Sequence, residues 1–131
     1  MICLDASCRS VLIAEDSDEV RLYLRALMAS WGCSVSEARD GQEAIEVVSR
    51  ECPDLILLDL NMPKVDGLAA TETIRQIEGQ CEHVPIIAIT AHDTYGMKDA
   101  ALAAGCSDYV RKPIDEKEFE SVLHRIFPFS F

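Results

Sequence analysis

Residues 53–67, Pro-Asp-Leu-Ile-Leu-Leu-Asp-Leu-Asn-Met-Pro-Lys-Val-Asp-Gly, decide how the chain folds. The four consecutive apolar residues 55–58 stop at Asp59. A short continuous apolar run is typical of a strand that is buried on both faces of a sheet. The residues from Asn61 to Gly67 contain the Pro and Gly that punctuate loops. The segment therefore predicts a central strand that ends at Asp59 and runs into a loop.

The same pattern recurs along the rest of the chain. The further strand candidates are Val11–Ala14, the weaker Cys33–Ala38, Pro85–Ile89 and Tyr109–Val110. Apolar residues at helical spacing follow each run, and the expected helices are Ser17–Trp31, Gly41 up to Cys52-Pro53, Leu68–Ile77, Thr94–Ala104 and Asp115 to Ile126. Alternating strands and helices predict an α/β fold, with one doubly wound parallel sheet covered by helices on both faces.

Composition narrows the class of protein. The chain has 131 residues, which is enough for one domain, and a net charge of −11. This acidity argues against nucleic acid or an anionic membrane as a partner, because both need a basic surface. No apolar run reaches the roughly 18 residues of a membrane span. The six cysteines form no CxxC pair, so we expect free thiols rather than a disulfide framework, and a cytoplasmic location.

Polar residues stand where the strong strands end. Glu15 and Asp16 follow the first strand, and Asp59, Thr90 and Lys112 follow three others. Because the carboxyl ends of parallel strands share one edge, these side chains are expected in one cleft. Taken singly, each has an ordinary explanation: an acid or a threonine caps a helix, and a lysine before proline is a solvated loop residue. Their equivalent positions in successive units favour a shared site.

The chemistry of such a cleft is specific. Carboxylates about 4 Å apart repel each other by roughly 4 kcal/mol at an effective dielectric of about 20. A divalent cation removes this penalty, and oxygen-only ligands favour Mg²⁺. A carboxylate can also act as a nucleophile and become an aspartyl phosphate. The ammonium of Lys112 and the hydroxyl of Thr90 would then stabilise the phosphoryl oxygens.

These motifs together resemble the receiver domain of two-component response regulators. The residues that carry the resemblance are Glu15-Asp16, the segment from Asp59 to Gly67, Thr90-Ala91 and Lys112-Pro113, and it extends from Val11 to Phe127. It implies a flavodoxin-like (βα)5 sheet of order 2-1-3-4-5. It also implies a division into an N-terminal extension (1–10), a receiver domain (11–127) and a C-terminal tail (128–131).

The resemblance also implies roles for individual residues. Asp59 would accept a phosphoryl group from a phosphohistidine, and Asp16 and Asp59 would bind Mg²⁺ directly. Glu15 would hold the metal through water, and the main-chain carbonyl of Asn61 would complete the site. A cis peptide is expected before Pro113.

A switch is implied by the same family pattern. Thr90 would move towards the phosphoryl group, and Tyr109 would then turn inward. The alternative for Tyr109 is an aromatic residue that simply packs on the last helix. The output face would include Met97, Lys98 and Arg111, and His92 would influence hydrolysis or would be an exposed loop residue.

The implied partners are a sensor histidine kinase or a histidine phosphotransfer protein, and a downstream protein target. Similarity around Gly67–Thr71 and Ala91-His92 favours receivers attached to hybrid histidine kinases. The domain would be a signalling module that assists its own phosphorylation and dephosphorylation, not an enzyme with a separate substrate.

Three alternatives fit the residues less well, because Asn61 is not an acid, no Gly-rich loop follows Ile13 and all five site residues are present. A phosphatase with an aspartyl-phosphate intermediate often has a second acid where Asn61 stands. A flavin- or nucleotide-binding module would need a Gly-rich loop after Ile13. A degenerate receiver that only docks would lack some of the five site residues.

Overall fold

The computed structural model describes residues 10–61, 66–77, 83–91 and 96–126. Strands and helices alternate through these ranges, with the bounds β1 Ser10–Ala14, α1 Asp18–Ser30, β2 Ser34–Ala38, α2 Gly41–Arg50, β3 Leu55–Asp59, α3 Gly67–Arg75, β4 Ile86–Thr90, α4 Met97–Ala104, β5 Asp108–Arg111 and α5 Glu116–Ile126. All strand pairs are parallel, and the sheet order is β2-β1-β3-β4-β5. The predicted fold class and strand order are therefore confirmed.

The apolar runs are buried on both faces of the sheet, as their composition predicts. Because side chains alternate along a strand, Ile13 and Leu57 join one buried cluster while Leu12 and Leu58 join the other. The first cluster includes Leu24 of α1 and Phe119 of α5, and the ring of Phe119 stacks on Trp31 at a centroid distance of 6.2 Å. The second includes residues of α2, α3 and α4. The sheet thus separates two helical layers.

Side-chain caps set where three helices begin. Ser17 accepts a hydrogen bond from the Val20 backbone N–H, Asp40 from that of Glu43, and Asp66 from that of Ala69. Each of these bonds satisfies an N–H that has no partner inside its helix. Each cap fixes the first turn of the helix that follows β1, β2 or β3.

Some predicted bounds differ from the structure. Helix α3 ends at Arg75 rather than Ile77, and the predicted start of α4 at Thr94 falls outside the described residues. Gly105 ends α4 with φ +118°, a conformation that glycine adopts without strain.

The cysteines behave in two ways. Cys33 and Cys106 are buried thiols outside disulfides, as predicted. Cys52 is disulfide-bonded, so the expectation of free thiols is wrong at this position. The sequence gives no sign of this bond, because pairing depends on how distant segments approach each other.

No helix in the part of the chain that the structure describes has the length and hydropathy needed to cross a membrane.

Gly67 lies against the carboxyl end of β3. A Cβ atom at this position would be 2.4 Å from Leu60 Cα and 2.6 Å from the Asp59 carbonyl oxygen. Both contacts are with backbone, so a methyl group would require the strand end to shift.

We therefore expect Gly67→Ala to lower the free energy of unfolding by about 2 kcal/mol or more, as overpacking in a dense core does. Ala69→Ser, on the exposed side of the same helix, should change it by less than about 0.5 kcal/mol. Chemical denaturation of both variants measures the difference, and equal stabilities would contradict the close contact at Gly67.

Candidate functional site

The carboxyl edge of the sheet brings three acids together. Glu15 follows β1, Asp16 comes next, and Asp59 is the last residue of β3. One carboxylate oxygen from each lies within 4.8 Å of the others. Glu15 and Asp59 are buried, whereas Asp16 is exposed at the mouth. These side chains form a cluster that can hold a metal ion.

Backbone groups hold the two buried carboxylates in place. The Ser17 N–H donates to Glu15 Oε2 at 3.1 Å, and the Asn61 N–H donates to Asp59 Oδ1 at 3.0 Å. The Glu15 N–H itself donates to the Ala38 carbonyl at 3.0 Å, which ties the residue to β2. The carboxylates are therefore fixed by the loops that follow β1 and β3.

Lys112 reaches the same cleft from the end of β5. Its Nζ lies 2.6 Å from Glu15 Oε1 and 3.4 Å from Asp59 Oδ2. Its backbone N–H donates to the Thr90 carbonyl at 2.8 Å, and the expected cis peptide joins Lys112 to Pro113. One ammonium thus contacts two buried carboxylates.

The inner oxygen of Glu15 has an unusual environment. Glu15 Oε1 is the one buried side-chain N or O atom in the described ranges that makes no hydrogen bond. Its contact with Lys112 Nζ at 2.6 Å is an ion pair. An acceptor of this kind, facing two further carboxylates, suits a hard cation or a hydrated one.

Burial and charge move the pKa values of these groups apart. Burial, with a hydrogen bond to Asp59, raises the pKa of Glu15 from 4.5 to about 7. Burial also acts to raise the pKa of Asp59, but hydrogen bonds from Glu15 and the Asn61 N–H, together with Lys112, hold it below 3.8. Burial opposes the charge of Lys112, yet Glu15 and Asp59 raise its pKa above 10.5. Near neutral pH, Asp59 is therefore an ionised carboxylate beside a charged ammonium.

Thr90 is linked to the site through Asn61. Its side chain is fully buried at the end of β4, and Asn61 Nδ2 donates to its Oγ1 at 3.0 Å. This contact connects the loop after β3 to the end of β4. The family resemblance implies only a main-chain role for Asn61, because a side-chain bond between distant loops leaves no periodic signal.

Tyr109 is half-buried and does not belong to the acidic cluster. It packs against the apolar cluster that contains Ala88 and Ala101, rather than the one that contains Phe119 of α5. Tyr109 is the register partner of Ala88. Thr90 comes two residues after Ala88, so it projects from the same face of the sheet as Tyr109.

The other predicted residues do not belong to the described acidic cluster or are not described. Lys98 and Arg111 are exposed, and Met97 is half-buried at the start of α4. His92 falls outside the described residues.

Arg21 is a residue near the site that the sequence did not predict. This residue is only 8% exposed, and its Nη1 donates to the Glu15 carbonyl oxygen at 2.9 Å. Its position on the buried side of α1, in line with Leu24 and Met28, was the available signal. A cation on an otherwise apolar helix face indicates a specific buried partner.

This chain is similar in sequence to a known protein family. The family described as the response regulator receiver domain matches residues 11–124. The response regulator MprA of Mycobacterium leprae is 40% identical over 116 residues, which cover 88% of this chain and 48% of that protein. The hybrid signal transduction histidine kinase G of Dictyostelium discoideum is 38% identical over 120 residues, which cover 90% of this chain and 4% of that protein. The chain thus spans about half or less of these curated relatives.

Solved structures agree with the sequence relatives. The receiver domain of the sensor histidine kinase PA1611 from Pseudomonas aeruginosa PAO1, with a magnesium ion in its active-site cleft, has a TM-score of 0.81 and 35% identity, covering 90% of this chain and 96% of that one. The receiver domain of Saccharomyces cerevisiae Ssk1, solved with the histidine phosphotransfer protein Ypd1, has a TM-score of 0.79 and 29% identity, covering 89% and 87%. With the family match over residues 11–124, the sheet order and the acidic edge, this chain belongs to the response regulator receiver domains of two-component signal transduction.

Proposed function

We propose that this receiver domain accepts a phosphoryl group on Asp59 from a phosphohistidine of a partner protein. The observation that carries the proposal is the meeting of Glu15, Asp16 and Asp59 within 4.8 Å, with Lys112 against two of them. In the transfer, a carboxylate oxygen of Asp59 attacks phosphorus, the P–N bond breaks, and the imidazole leaves with the bonding electrons. The lowered pKa of Asp59 keeps this nucleophile ionised near neutral pH.

The donor set supports Mg²⁺ as the cofactor of this site. All the candidate ligands are oxygens, and Glu15 Oε1 is a buried acceptor with no hydrogen bond. Asp16 and Asp59 would bind the ion directly, Glu15 through water, and Asn61 through its carbonyl. When bound, Mg²⁺ offsets the charge that builds up on the phosphoryl oxygens.

Lys112 and Thr90 would contact the oxygens of the phosphoryl group on Asp59. Lys112 stays protonated, because its acidic neighbours raise its pKa, and it would pair with a phosphoryl oxygen. The Thr90 hydroxyl, which accepts from Asn61 here, would donate to another phosphoryl oxygen. Through these groups the domain would assist its own phosphorylation and dephosphorylation.

Tyr109 would report the phosphorylated state. It shares a sheet face with Thr90 and packs on the cluster that contains Ala101 of α4. A shift of Thr90 towards the phosphoryl group would open space behind it, which favours an inward position of the ring. The output face would then change around Met97, Lys98 and Arg111, where a downstream protein would bind.

The phosphohistidine would arrive on a sensor histidine kinase or a histidine phosphotransfer protein. Helix α1 exposes the apolar side chain of Leu22 by 67% and that of Tyr23 by 43%. Tyr23, Pro113 and Ile114 line a groove next to Lys112. Exposed apolar side chains that border a reactive cleft are typical of a protein-binding surface. The hybrid kinases among the relatives favour a place in a phosphorelay.

The cytoplasmic location and the division into 1–10, 11–127 and 128–131 remain predictions from the sequence.

Asp59→Asn should abolish labelling by acetyl phosphate and Mg²⁺, because an amide is not a nucleophile for phosphorus. Intact mass measures the gain of one phosphoryl group in the wild type. Asp99→Asn, which removes an exposed acid from α4, should label normally. A labelled Asp59→Asn protein would show that the acceptor lies elsewhere.

Mg²⁺ affinity should depend on pH through Glu15. Because its pKa is about 7, Glu15 holds a proton at lower pH, and the metal must displace that proton. The dissociation constant should therefore rise as the pH falls through about 7, towards the value of Glu15→Gln, and level off above it. Asp59, with its pKa held below 3.8, does not titrate in this window.

Isothermal titration calorimetry between pH 5 and 8 measures this dependence. In Glu15→Gln, which carries no proton to displace, the affinity should vary little over the same range. A wild-type profile as flat as that of Glu15→Gln would contradict the assignment.

Leu22→Ser should slow phosphotransfer about tenfold when the donor is a phosphohistidine protein that labels the wild type. Labelling by acetyl phosphate should be unchanged, because that donor needs no docking surface. Leu102→Ser provides the matched control, since Leu102 is an exposed leucine (41%) on α4. Equal transfer rates for the two variants would place the docking surface elsewhere.

A further inference from the structure

Arg21 is a buried cation that contacts the acidic site through the backbone. Its Nη1 donates to the Glu15 carbonyl at 2.9 Å, and its Nε donates to Glu37 Oε1 at 3.2 Å. Its Nη2 contacts the Asp18 carboxylate. One guanidinium therefore joins α1, β2 and the loop that carries the first two acids of the site.

Burial of this guanidinium is costly unless its donors are matched. The planar fork of arginine meets three acceptors in different directions, which a lysine ammonium on one flexible stem does less well. Glu37 is also held by Arg25, so the anchor on β2 is itself supported. The Arg21 guanidinium is thus held by several partners at once, unlike an isolated ion pair at the surface.

The contact bears on both Glu15 and Asp16. The carbonyl oxygen of Glu15 and the backbone nitrogen of Asp16 belong to the same peptide group, which is planar. A hydrogen bond that fixes this oxygen also fixes the plane from which both side chains project. Glu15 is held further through its N–H by Ala38 and through its side chain by the N–H of Ser17, while Arg21 restrains its carbonyl oxygen.

We propose that Arg21 is a positioning residue for the metal site, which holds the Glu15–Asp16 peptide so that both carboxylates converge on Asp59. This inference rests on the proposed binding of Mg²⁺ at these acids. Groups behind the direct ligands of a metal commonly change its affinity by about 10- to 100-fold when removed. Arg21 would belong to that class without touching the ion.

Charge and position predict opposite effects of removing Arg21. A nearby cation repels Mg²⁺, so loss of its charge alone would strengthen metal binding. Loss of the carbonyl contact would instead let the peptide turn and separate the carboxylates, which weakens binding. The sign of the change therefore separates positioning from a field effect.

The test is Mg²⁺ titration by calorimetry on Arg21→Met, with Arg25→Met as the matched control. Arg25 also pairs with Glu37 but is half-exposed, and its described contacts do not include Glu15. We expect the dissociation constant to rise about tenfold in Arg21→Met and to stay equal or fall in Arg25→Met. Hydrogen exchange at the Glu15 amide, which bonds to Ala38, should be faster only in Arg21→Met.

Where Arg21→Met fails to fold, Arg21→Lys provides the test, because it keeps the charge and loses the fork. Weaker Mg²⁺ binding at constant charge supports positioning, whereas wild-type affinity overturns it. Unchanged or tighter binding by a folded Arg21→Met likewise overturns the inference while leaving the proposed metal site intact. A wild-type domain that binds no Mg²⁺ overturns both.

Discussion

Repulsion among carboxylates is the constraint on which the functional edge depends. Glu15, Asp16 and Asp59 converge within 4.8 Å, and two of them are buried. The interior relieves this repulsion by two means: a raised pKa at Glu15 and the ammonium of Lys112. Neither satisfies Glu15 Oε1 with a hydrogen bond. The site thus holds more negative charge than its own residues neutralise, which makes it suited to a cation and then to a phosphoryl group.

The parallel sheet makes this convergence possible. Its central strands β1, β3 and β4 are buried on both faces, so their register is fixed by apolar packing that tolerates little slippage. Each loop at the carboxyl edge then needs only a local restraint, such as the Ser17 cap after β1 or the Asn61 amide beside Asp59. Stability resides in the sheet, while chemistry resides at the carboxyl ends of its strands.

The sequence predicted the parts of the molecule that leave a periodic or positional signal. Apolar runs gave the strands, and the residues after Ala14, Leu58, Ile89 and Arg111 gave the shared edge. Contacts that depend on side-chain direction were not predictable in this way. The Arg21 bond to Glu15 and the Asn61 bond to Thr90 join positions whose spacing carries no pattern. The packing side of Tyr109 needed the register of β5 against β4.

The central claim is that acids from separate strands share one hard cation. Anomalous diffraction from crystals soaked in Mn²⁺, which takes the oxygen ligands of Mg²⁺, tests it most directly. We predict one strong anomalous peak in the cleft, coordinated by Asp16, Asp59 and the Asn61 carbonyl, with Glu15 one water away. Manganese bound only elsewhere, with Asp16 turned away from Asp59, would contradict the claim.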